Sequence, residues 1–335
     1  MTQQITDVAL FDGAELRSGR HDVVLSDGVV VSVEPARSGA GRGGTLLPGF
    51  IDSHVHIGFH DATTLARGGV TTALDLGWPL EDIAQLSTLP GASIRFAGPI
   101  LTAPGGYPTR VSWAPRGTGA AVSDPVAAAK LVEELVSAGA SVIKIAQEPR
   151  EGPVLDDGCL RAIVLAAHAA GLLVVSHIGS AAELERALEH GVDIFAHGLW
   201  SEEPLPAGAA ERMRAQGVSV IPTMRIAPTA ARRQHLAAYI DAGVEILYGT
   251  DLGNPPTEPR IDVTELDLMR SAGMSSSQIL ASATSVPAAR FGWTDRGRIA
   301  PGLRADLVLV DGDLRVSTGG FERIRQTWVA GEPLS

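Results

Sequence analysis

Four histidines, one aspartate and one lysine stand near the ends of short apolar segments, in a pattern typical of a metal site. The candidates are His54 and His56 in GFIDSHVHIG, Lys144 in SVIKIA, His177 in LLVVSHI, His197 in DIFAHG and Asp251 in EILYGTD. Neutral imidazole and carboxylate are the ordinary ligands of zinc and similar divalent metals. A single histidine at a strand end is more often a hydrogen-bonded structural residue, so the metal interpretation depends on all six occurring together.

Lys144 is unusual because the chain uses arginine almost everywhere else. Of the 27 basic residues, only Lys130 and Lys144 are lysines, which leaves 25 arginines. A primary amine and a guanidinium are not chemically interchangeable. A buried lysine usually pairs with a carboxylate, because an unpaired buried charge costs several kcal/mol. Lys144 is therefore one of three things: an ion-paired core residue, a lysine that occurs by chance in a chain biased toward arginine, or a group whose amine takes part in chemistry.

Eight apolar segments alternate with alanine-rich amphipathic stretches and predict a parallel β/α arrangement. The predicted strands are 49–57, 70–77, 94–103, 141–146, 172–178, 193–198, 218–224 and 245–251. Helices are predicted over 124–139, 156–171 and 180–191, with Asp124 and Ser180 as N-caps of the first and third. Eight strands suit a (β/α)8 TIM-like barrel, whose active sites lie at the carboxyl ends of the strands. This fold would bring the six candidate ligands to one face.

Both ends of the chain show a different pattern, with short strands and turns. Asp-Gly pairs flanked by apolar residues, as in HDVVLSDGVVVSVE, indicate hairpins. Because the two β-rich ends flank the barrel segment 48–297, we predict that residues 1–47 and 298–335 form one small β-sandwich domain. The predicted fold class is therefore α/β, with a barrel and a small β domain built from both chain ends.

The composition argues against several classes of partner and location. The formal net charge of -11 disfavours nucleic acid and anionic membrane surfaces, since both select basic faces. The sequence has neither a signal-peptide pattern at its start nor an apolar run of about 18 residues, so a cytoplasmic protein is expected. The single cysteine, Cys159, excludes an intrachain disulfide. A homo-oligomer is a reasonable expectation, because symmetric assemblies are common.

Two long motifs resemble the amidohydrolase superfamily of metal-dependent hydrolases, and the resemblance runs nearly from end to end. LLPGFIDSHVHIG enters the predicted barrel, and GRIAPGLRADLVLVDGD leaves it. The segment TAPGGYPT, after the third predicted strand, is similar to the prolidase-like and imidazolonepropionase-like branch. That branch often has a histidine after the glycine pair, where this chain has Tyr107, and the departure bears on the substrate.

The resemblance implies two divalent metal ions and a role for each candidate ligand. His54 and His56 would bind one ion, and His177 and His197 would bind the other. A carbamate formed from Lys144 and carbon dioxide would bridge the two ions, and only a primary amine forms such a group. Zinc is the default by ligand type, but manganese, iron and cobalt suit similar sites.

The implied reaction is hydrolysis of an amide- or peptide-type bond in a small molecule, such as a dipeptide or an N-acyl amino acid. Binding to metal ions would lower the pKa of a water molecule from 15.7 toward roughly 7, so that a hydroxide shared by the two ions is available at neutral pH. Asp251 would bind the first metal, accept the proton and deliver it to the leaving group. The alternatives are a lactonase or ester hydrolase with the same metals, a mononuclear deaminase or cyclic-amidine hydrolase, and a non-catalytic assembly protein. The mononuclear alternative leaves Lys144 without a metal.

Aromatic and cationic side chains near the predicted strand ends are candidates for substrate binding. They are Trp78, Tyr107, Arg110, Trp113, Trp200 and Arg225. The aromatic residues would form a rim around the metals, although packing alone also accounts for aromatic residues in loops. Either arginine would bind a substrate carboxylate through a bidentate pair. A solvated surface role is the alternative for each arginine, because the chain has 25 of them.

Overall fold

Strands and helices alternate through the middle of the chain, and strands predominate at both ends. This computed structural model describes residues 2–37, 43–312, 314 and 323–334. The strands are β1 (Gln3–Leu10), β2 (His21–Ser26), β3 (Val29–Pro35), β4 (Thr45–Pro48), β5 (Phe50–Val55), β6 (Val70–Asp75), β7 (Ser93–Phe96), β8 (Ile100–Thr102), β9 (Gly119–Ala121), β10 (Val142–Gln147), β11 (Leu173–Ile178), β12 (Ile194–Leu199), β13 (Ser219–Ile221), β14 (Glu245–Ile246), β15 (Leu307–Val310), β16 (Ile324–Val329) and β17 (Glu332–Leu334). The helices are α1 (Ala62–Arg67), α2 (Leu80–Leu86), α3 (Pro125–Ser137), α4 (Asp157–Ala169), α5 (Ala181–Glu189), α6 (Ala209–Gln216), α7 (Ala230–Ala242), α8 (Val263–Ser271), α9 (Ser276–Ser282) and α10 (Ser285–Arg290), with 3-10 turns at Ile57–Phe59 and Met224–Ile226.

Ten strands of the middle segment form two parallel sheets. One has the order β5-β6-β7, and the other has the order β14-β13-β12-β11-β10-β8-β9. Backbone hydrogen bonds connect the two sheets: Ser53 donates to the carbonyl of Tyr248, and Ser141 donates to the carbonyl of Phe96. The α/β class and the parallel pairing are confirmed, while closure of the strands into one eight-stranded barrel stays a prediction.

Three of the predicted strands are shorter or more broken than expected. The third predicted strand divides into β7, which pairs with β6, and β8, which pairs with β10. Gly98 lies between them with φ +79°, and Pro99 has no N–H to donate to a ladder. β13 ends before Pro222 for the same reason. The apolar run at 245–251 pairs as a strand only at Glu245–Ile246.

The three predicted helices are confirmed as α3, α4 and α5. The side chain of Asp124 accepts hydrogen bonds from two backbone N–H groups in the first turn of α3, and Ser180 caps α5. Asp156 caps α4 by accepting from the backbone of Cys159. No helix in the described ranges is both long and apolar enough to cross a membrane.

Strands from both ends of the chain pair in one sheet with the order β17-β16-β15-β4-β1-β2-β3. β4 joins the ends, because it pairs with β1 in parallel and with β15 antiparallel. The hairpin of β2 and β3 turns at Asp27 and Gly28, which both have positive φ, as the Asp-Gly signal predicts. A buried cluster that includes Leu46, Leu307 and Trp328 packs on this sheet. The sandwich arrangement and the domain boundaries stay predictions.

Candidate metal centre

All six candidate ligands line one small cavity at the carboxyl ends of the strands. His54 is in β5 and His56 follows it, Lys144 is in β10, His177 is in β11, His197 is in β12, and Asp251 follows β14. Each is at most 8% exposed. The cavity measures about 100 Å³, and its other lining residues are Ile100, Tyr107, Ala146, Trp200, Ile226 and Asn254.

Asp251 lies at the centre of the histidines. Its Oδ1 atom is 3.2 Å from Nε2 of His54 and 3.2 Å from Nε2 of His56. His54, His197 and Asp251 each place one potential ligand atom within 4.8 Å of the others. Burial alone would raise the pKa of Asp251, but His54 and the hydrogen bond from His56 outweigh it and hold the pKa well below its usual range. Burial lowers the pKa of His54 and of His197 well below the ordinary value. These shifts favour a carboxylate at Asp251 and neutral imidazoles at His54 and His197, which are the protonation states that bind a cation, whereas Asp251 raises the pKa of His56 against the effect of burial.

Hydrogen bonds fix the orientation of two imidazoles. His56 donates from Nδ1 to the carbonyl of Gly77 at 3.1 Å, which leaves Nε2 directed at Asp251. His197 Nδ1 pairs with Thr223 Oγ1 at 2.6 Å, which leaves its Nε2 atom for a ligand. Partners of this kind set the tautomer of a metal-binding histidine and hold its ring in place.

Glu148 orients a third imidazole and was missed by sequence reasoning. Its Oε2 atom accepts a hydrogen bond from Nε2 of His177 at 3.1 Å, so Nδ1 of His177 is the atom left for a metal. Burial favours a higher pKa for Glu148, but the hydrogen bond from His177 prevails and lowers it. A Cβ at Gly179 would lie 2.6 Å from the Glu148 carboxylate, so glycine makes room for this contact. The sequence signal was only a carboxylate after the strand that carries Lys144.

Lys144 is a buried amine without a hydrogen-bond partner. It is 2% exposed, and its Nζ atom has no partner among the described residues. Burial lowers its pKa to about 7, although the charge of Asp251 opposes this shift. Much of the amine is therefore unprotonated at neutral pH, and an unprotonated amine is the form that reacts with carbon dioxide. The unpaired Nζ atom fits a residue that completes its environment by carbamate formation and metal binding.

Three residues near the strand ends have backbone conformations that residues other than glycine rarely adopt. His197, Thr223 and Asp251 have φ values of +69°, +43° and +57°. Such conformations are strained and cluster at functional sites. Two of these residues are candidate ligands, and the third is the hydrogen-bond partner of His197, so the strain coincides with the cavity.

Three aromatic side chains surround the histidines. The ring of Tyr107 is centred 5.4 Å from that of His177, Trp200 lies 4.9 Å from His197, and Trp113 lies 6.1 Å from Tyr107. Burial raises the pKa of Tyr107 above its ordinary value, so its hydroxyl keeps its proton and acts as a donor. Gly106 packs against the backbone of the loop after β10, where no side chain would fit, and this contact positions Tyr107.

The other side chains proposed for substrate binding lie outside this cavity. Trp78 is 7% exposed and packs edge-to-face on Phe59 at 4.7 Å. Arg225 lies in a separate cavity, with Nε 3.5 Å from Oδ2 of Asp262. Arg110 is exposed, and its guanidinium lies beside Gly105. The structure therefore brings Tyr107 and Trp200 to the candidate ligands, but not these three.

Comparison with known proteins identifies the family. The amidohydrolase family profile matches residues 45–334. The chain belongs to the amidohydrolase family. This amidohydrolase is 26% identical over 376 residues to the imidazolonepropionase of Salinispora arenicola, covering 93% of this chain and 91% of that protein. It is similar in structure to a Xaa-Pro dipeptidase with bound methionine, with a TM-score of 0.84, 21% identity and 100% of both chains covered. It is also similar to a prolidase complexed with N-methylphosphonate-L-proline, with a TM-score of 0.81, 22% identity and 100% of both chains covered.

The profile confirms the predicted superfamily, and the similarity to imidazolonepropionase and to the solved dipeptidase and prolidase agrees with the predicted branch. The solved structures support a TIM-like barrel for the middle segment. Membership makes the chain a hydrolase that acts on C–N bonds, in a family that generally uses divalent metals. The cluster of His54, His197 and Asp251 agrees with that requirement.

Proposed function

We propose that this amidohydrolase binds two divalent metal ions and hydrolyses an amide-type C–N bond in a small molecule. The observation that carries the proposal is a buried, unpaired Lys144 in the same cavity as four histidines and one aspartate. The proposed ligands are His54, His56 and Asp251 for one ion, His177 and His197 for the other, and the Lys144 carbamate for both. Zinc is the proposed metal, and a closed eight-stranded barrel is part of the proposal.

Lys144 favours this proposal over a mononuclear deaminase or cyclic-amidine hydrolase. In a mononuclear site the amine would stay buried without a hydrogen-bond partner, and an unsatisfied buried polar group is costly. Carbamate formation replaces the amine with a carboxylate-like group, releases a proton and provides oxygen ligands. The pKa of about 7 supplies the free amine that this reaction needs at neutral pH.

The chain's own residues supply proton transfer, orientation and exclusion of water. When bound, two divalent ions provide an activated water at neutral pH and a Lewis acid for the substrate carbonyl. Asp251, next to the imidazoles of His54 and His56, would take the proton from the attacking water and return it to the leaving nitrogen. Tyr107 would donate a hydrogen bond to substrate oxygen, since its hydroxyl stays protonated. Trp200 would help to exclude solvent.

The substrate proposals follow from the reaction class. Dipeptides and N-acyl amino acids are the compounds expected from the sequence, and lactones or other esters are the alternative. Both classes present a carbonyl carbon to the same arrangement of groups. The division of the chain into 1–47, 48–297 and 298–335 is also proposed, with the barrel segment carrying the site.

The two lysines of the chain provide a matched test of this function. We would assay panels of amides, esters and cyclic amidines with protein stripped by a chelator and then reloaded with zinc and bicarbonate. We expect amide hydrolysis that depends on metal, and a loss on the order of 100-fold in Lys144→Ala. Lys130→Ala is the control, because Lys130 is exposed on α3. Full activity in Lys144→Ala, or a clear preference for cyclic amidines, would contradict the proposal.

A further inference from the structure

The cavity walls beyond the candidate ligands are uncharged. They consist of Ile100, Tyr107, Ala146, Trp200, Ile226 and Asn254. Within the described part of the chain, the only basic side chain other than histidine that lines this cavity is Lys144, which the proposed function assigns to the metals. Recognition of the non-reacting part of a substrate therefore falls to aromatic rings, aliphatic groups, one phenolic hydroxyl and one carboxamide.

Two arginines near the cavity are engaged by the protein itself. Arg225, on the turn that also carries Ile226, lies 3.5 Å from the carboxylate of Asp262. Arg232 stacks under Trp200, with its guanidinium carbon 4.6 Å from the ring. It donates at 2.7 Å and 2.8 Å to the carbonyls of Ala227 and Pro222. Arg232 is 3% exposed, so it holds the loop after β13 rather than facing a ligand.

Three acidic side chains act on Tyr107. Glu148 and Glu151, on the loop after β10, act on the Tyr107 hydroxyl with the same sign as Asp251. A substrate carboxylate placed against Tyr107 would meet these carboxylates, while the guanidinium of Arg110 lies beside Gly105 and does not line the cavity. Like charges brought together in a partly buried site weaken binding.

We infer that this amidohydrolase acts on small uncharged amides with an aromatic or apolar substituent, rather than on substrates that carry a carboxylate. The inference rests on the proposed hydrolysis of an amide-type bond, but it departs from the dipeptides and N-acyl amino acids expected from the sequence, because those compounds carry a carboxylate. Tyr107 and Asn254 offer neutral polar contacts, and Trp200 offers a face for stacking. In the reaction, water gives its hydroxyl to the carbonyl carbon, the C–N bond breaks and the leaving nitrogen takes the proton.

A matched pair of ligands tests the inference without relying on turnover. Benzohydroxamic acid and 4-carboxybenzohydroxamic acid share a metal-binding group and a ring, and they differ by one carboxylate. We would measure both affinities by calorimetry with metal-loaded protein. We expect the neutral compound to bind on the order of tenfold more tightly. Equal affinity, or tighter binding of the carboxylated compound, would overturn the inference.

Two variants place the same new charge inside and outside the cavity. Ile226→Arg adds a guanidinium to the wall, and we expect it to shift the preference toward the carboxylated compound by at least about tenfold. Leu165→Arg adds the same group on an exposed part of α4, where Leu165 is 62% exposed, and should leave the preference unchanged. Weaker binding of the carboxylated compound in Arg225→Ala or Arg110→Ala would instead show that an arginine already binds a carboxylate, and would overturn the inference.

Hydrolysis of acetanilide and 4-acetamidobenzoate separates the two possible failures. A metal-loaded enzyme that hydrolyses amides but prefers 4-acetamidobenzoate would overturn the inference and leave the proposed function intact. A metal-loaded protein that hydrolyses neither compound and binds neither hydroxamate would overturn both. Faster hydrolysis of acetanilide, together with tighter binding of benzohydroxamic acid, is the result that we expect.

Discussion

At the scale of single residues, the candidate site depends on partners that orient the imidazoles. Gly77 holds His56, Thr223 holds His197 and Glu148 holds His177. Glu148 differs from the other two partners because it is charged, and a carboxylate partner strengthens the ligand character of the imidazole. Its contribution is therefore measurable apart from that of the metal ligands.

Glu148→Gln is expected to lower metal affinity by about 10- to 100-fold, the range typical of such partners. Glutamine keeps the shape but lacks the charge that holds Nε2–H of His177 toward it. The measurement is competition for zinc against a chromophoric chelator. The control is Glu151→Gln, because Glu151 is exposed in the same loop. Unchanged zinc affinity in Glu148→Gln would mean that His177 needs no such partner.

The spacing of residues predicts the candidate ligands but not their partners. His54 and His56 are two residues apart and therefore point to the same side of one strand. The other ligands recur at equivalent strand ends, so the local sequence pattern predicts all six. Glu148 follows β10 and His177 lies in the neighbouring β11, and their contact depends on Gly179, which leaves space for the carboxylate. Arg225 shows the opposite error, since its place after a strand suggested the cavity, but its side chain turns to Asp262.

At the scale of elements, α8 holds the turn that follows β13. Glu265 of α8 is fully buried, and its carboxylate accepts the backbone N–H of Arg225 at 2.7 Å. Burial raises the pKa of Glu265 from 4.5 to about 7. The folded protein therefore binds a proton at Glu265 between these two pH values, where the unfolded chain does not. The stability that Glu265 contributes is present below the lower value and is lost as pH rises through about 7.

Glu265→Gln is expected to make stability less dependent on pH. Glutamine still accepts from Arg225 but does not ionise, so the fall in stability between about pH 5 and pH 8 becomes smaller than in the wild type. Urea denaturation at both pH values, with the same metal concentration, measures the difference. Parallel pH profiles for the two proteins would show that Glu265 keeps an ordinary pKa.

The predicted strands differ from the observed strands mainly where the backbone stops forming hydrogen bonds with the neighbouring strand. The helices α3 and α5 were predictable because Asp124 and Ser180 are favourable N-cap residues and each precedes a segment whose apolar residues recur with helical spacing. The sequence predicts one continuous third strand over 94–103, because its apolar run does not stop at Gly98. Strand length depends on which N–H groups find partners, and Pro99 and Pro222 remove donors at the points where pairing stops.

At the scale of the whole molecule, strands from both chain ends form a sheet with its own buried cluster. Trp328 is 2% exposed in this cluster, and its indole N–H donates to Gln3 at 3.2 Å. The pairing of the ends was predictable from their shared composition. The order of strands was not, because nothing in the local pattern specifies that β4 lies between β1 and β15.

Trp328→Ala is expected to reduce the free energy of unfolding by about 3–5 kcal/mol, as for other large buried aromatic residues. Metal content should stay at the wild-type value, because Trp328 belongs to a different cluster from the cavity. Denaturant unfolding and elemental analysis of the same preparation measure both quantities. Trp328→Phe, which keeps most of the volume, should lose less stability. Loss of metal without loss of stability would contradict this division of roles.

Metal content per chain tests the central claim most directly. We would measure it by elemental analysis of protein purified without chelators and in the presence of bicarbonate, alongside Lys144→Ala. We expect about two equivalents of divalent metal in the wild type and at most about one in Lys144→Ala. About one equivalent in the wild type, unmoved by added metal and bicarbonate, would contradict the bridged pair and make Lys144 a structural residue.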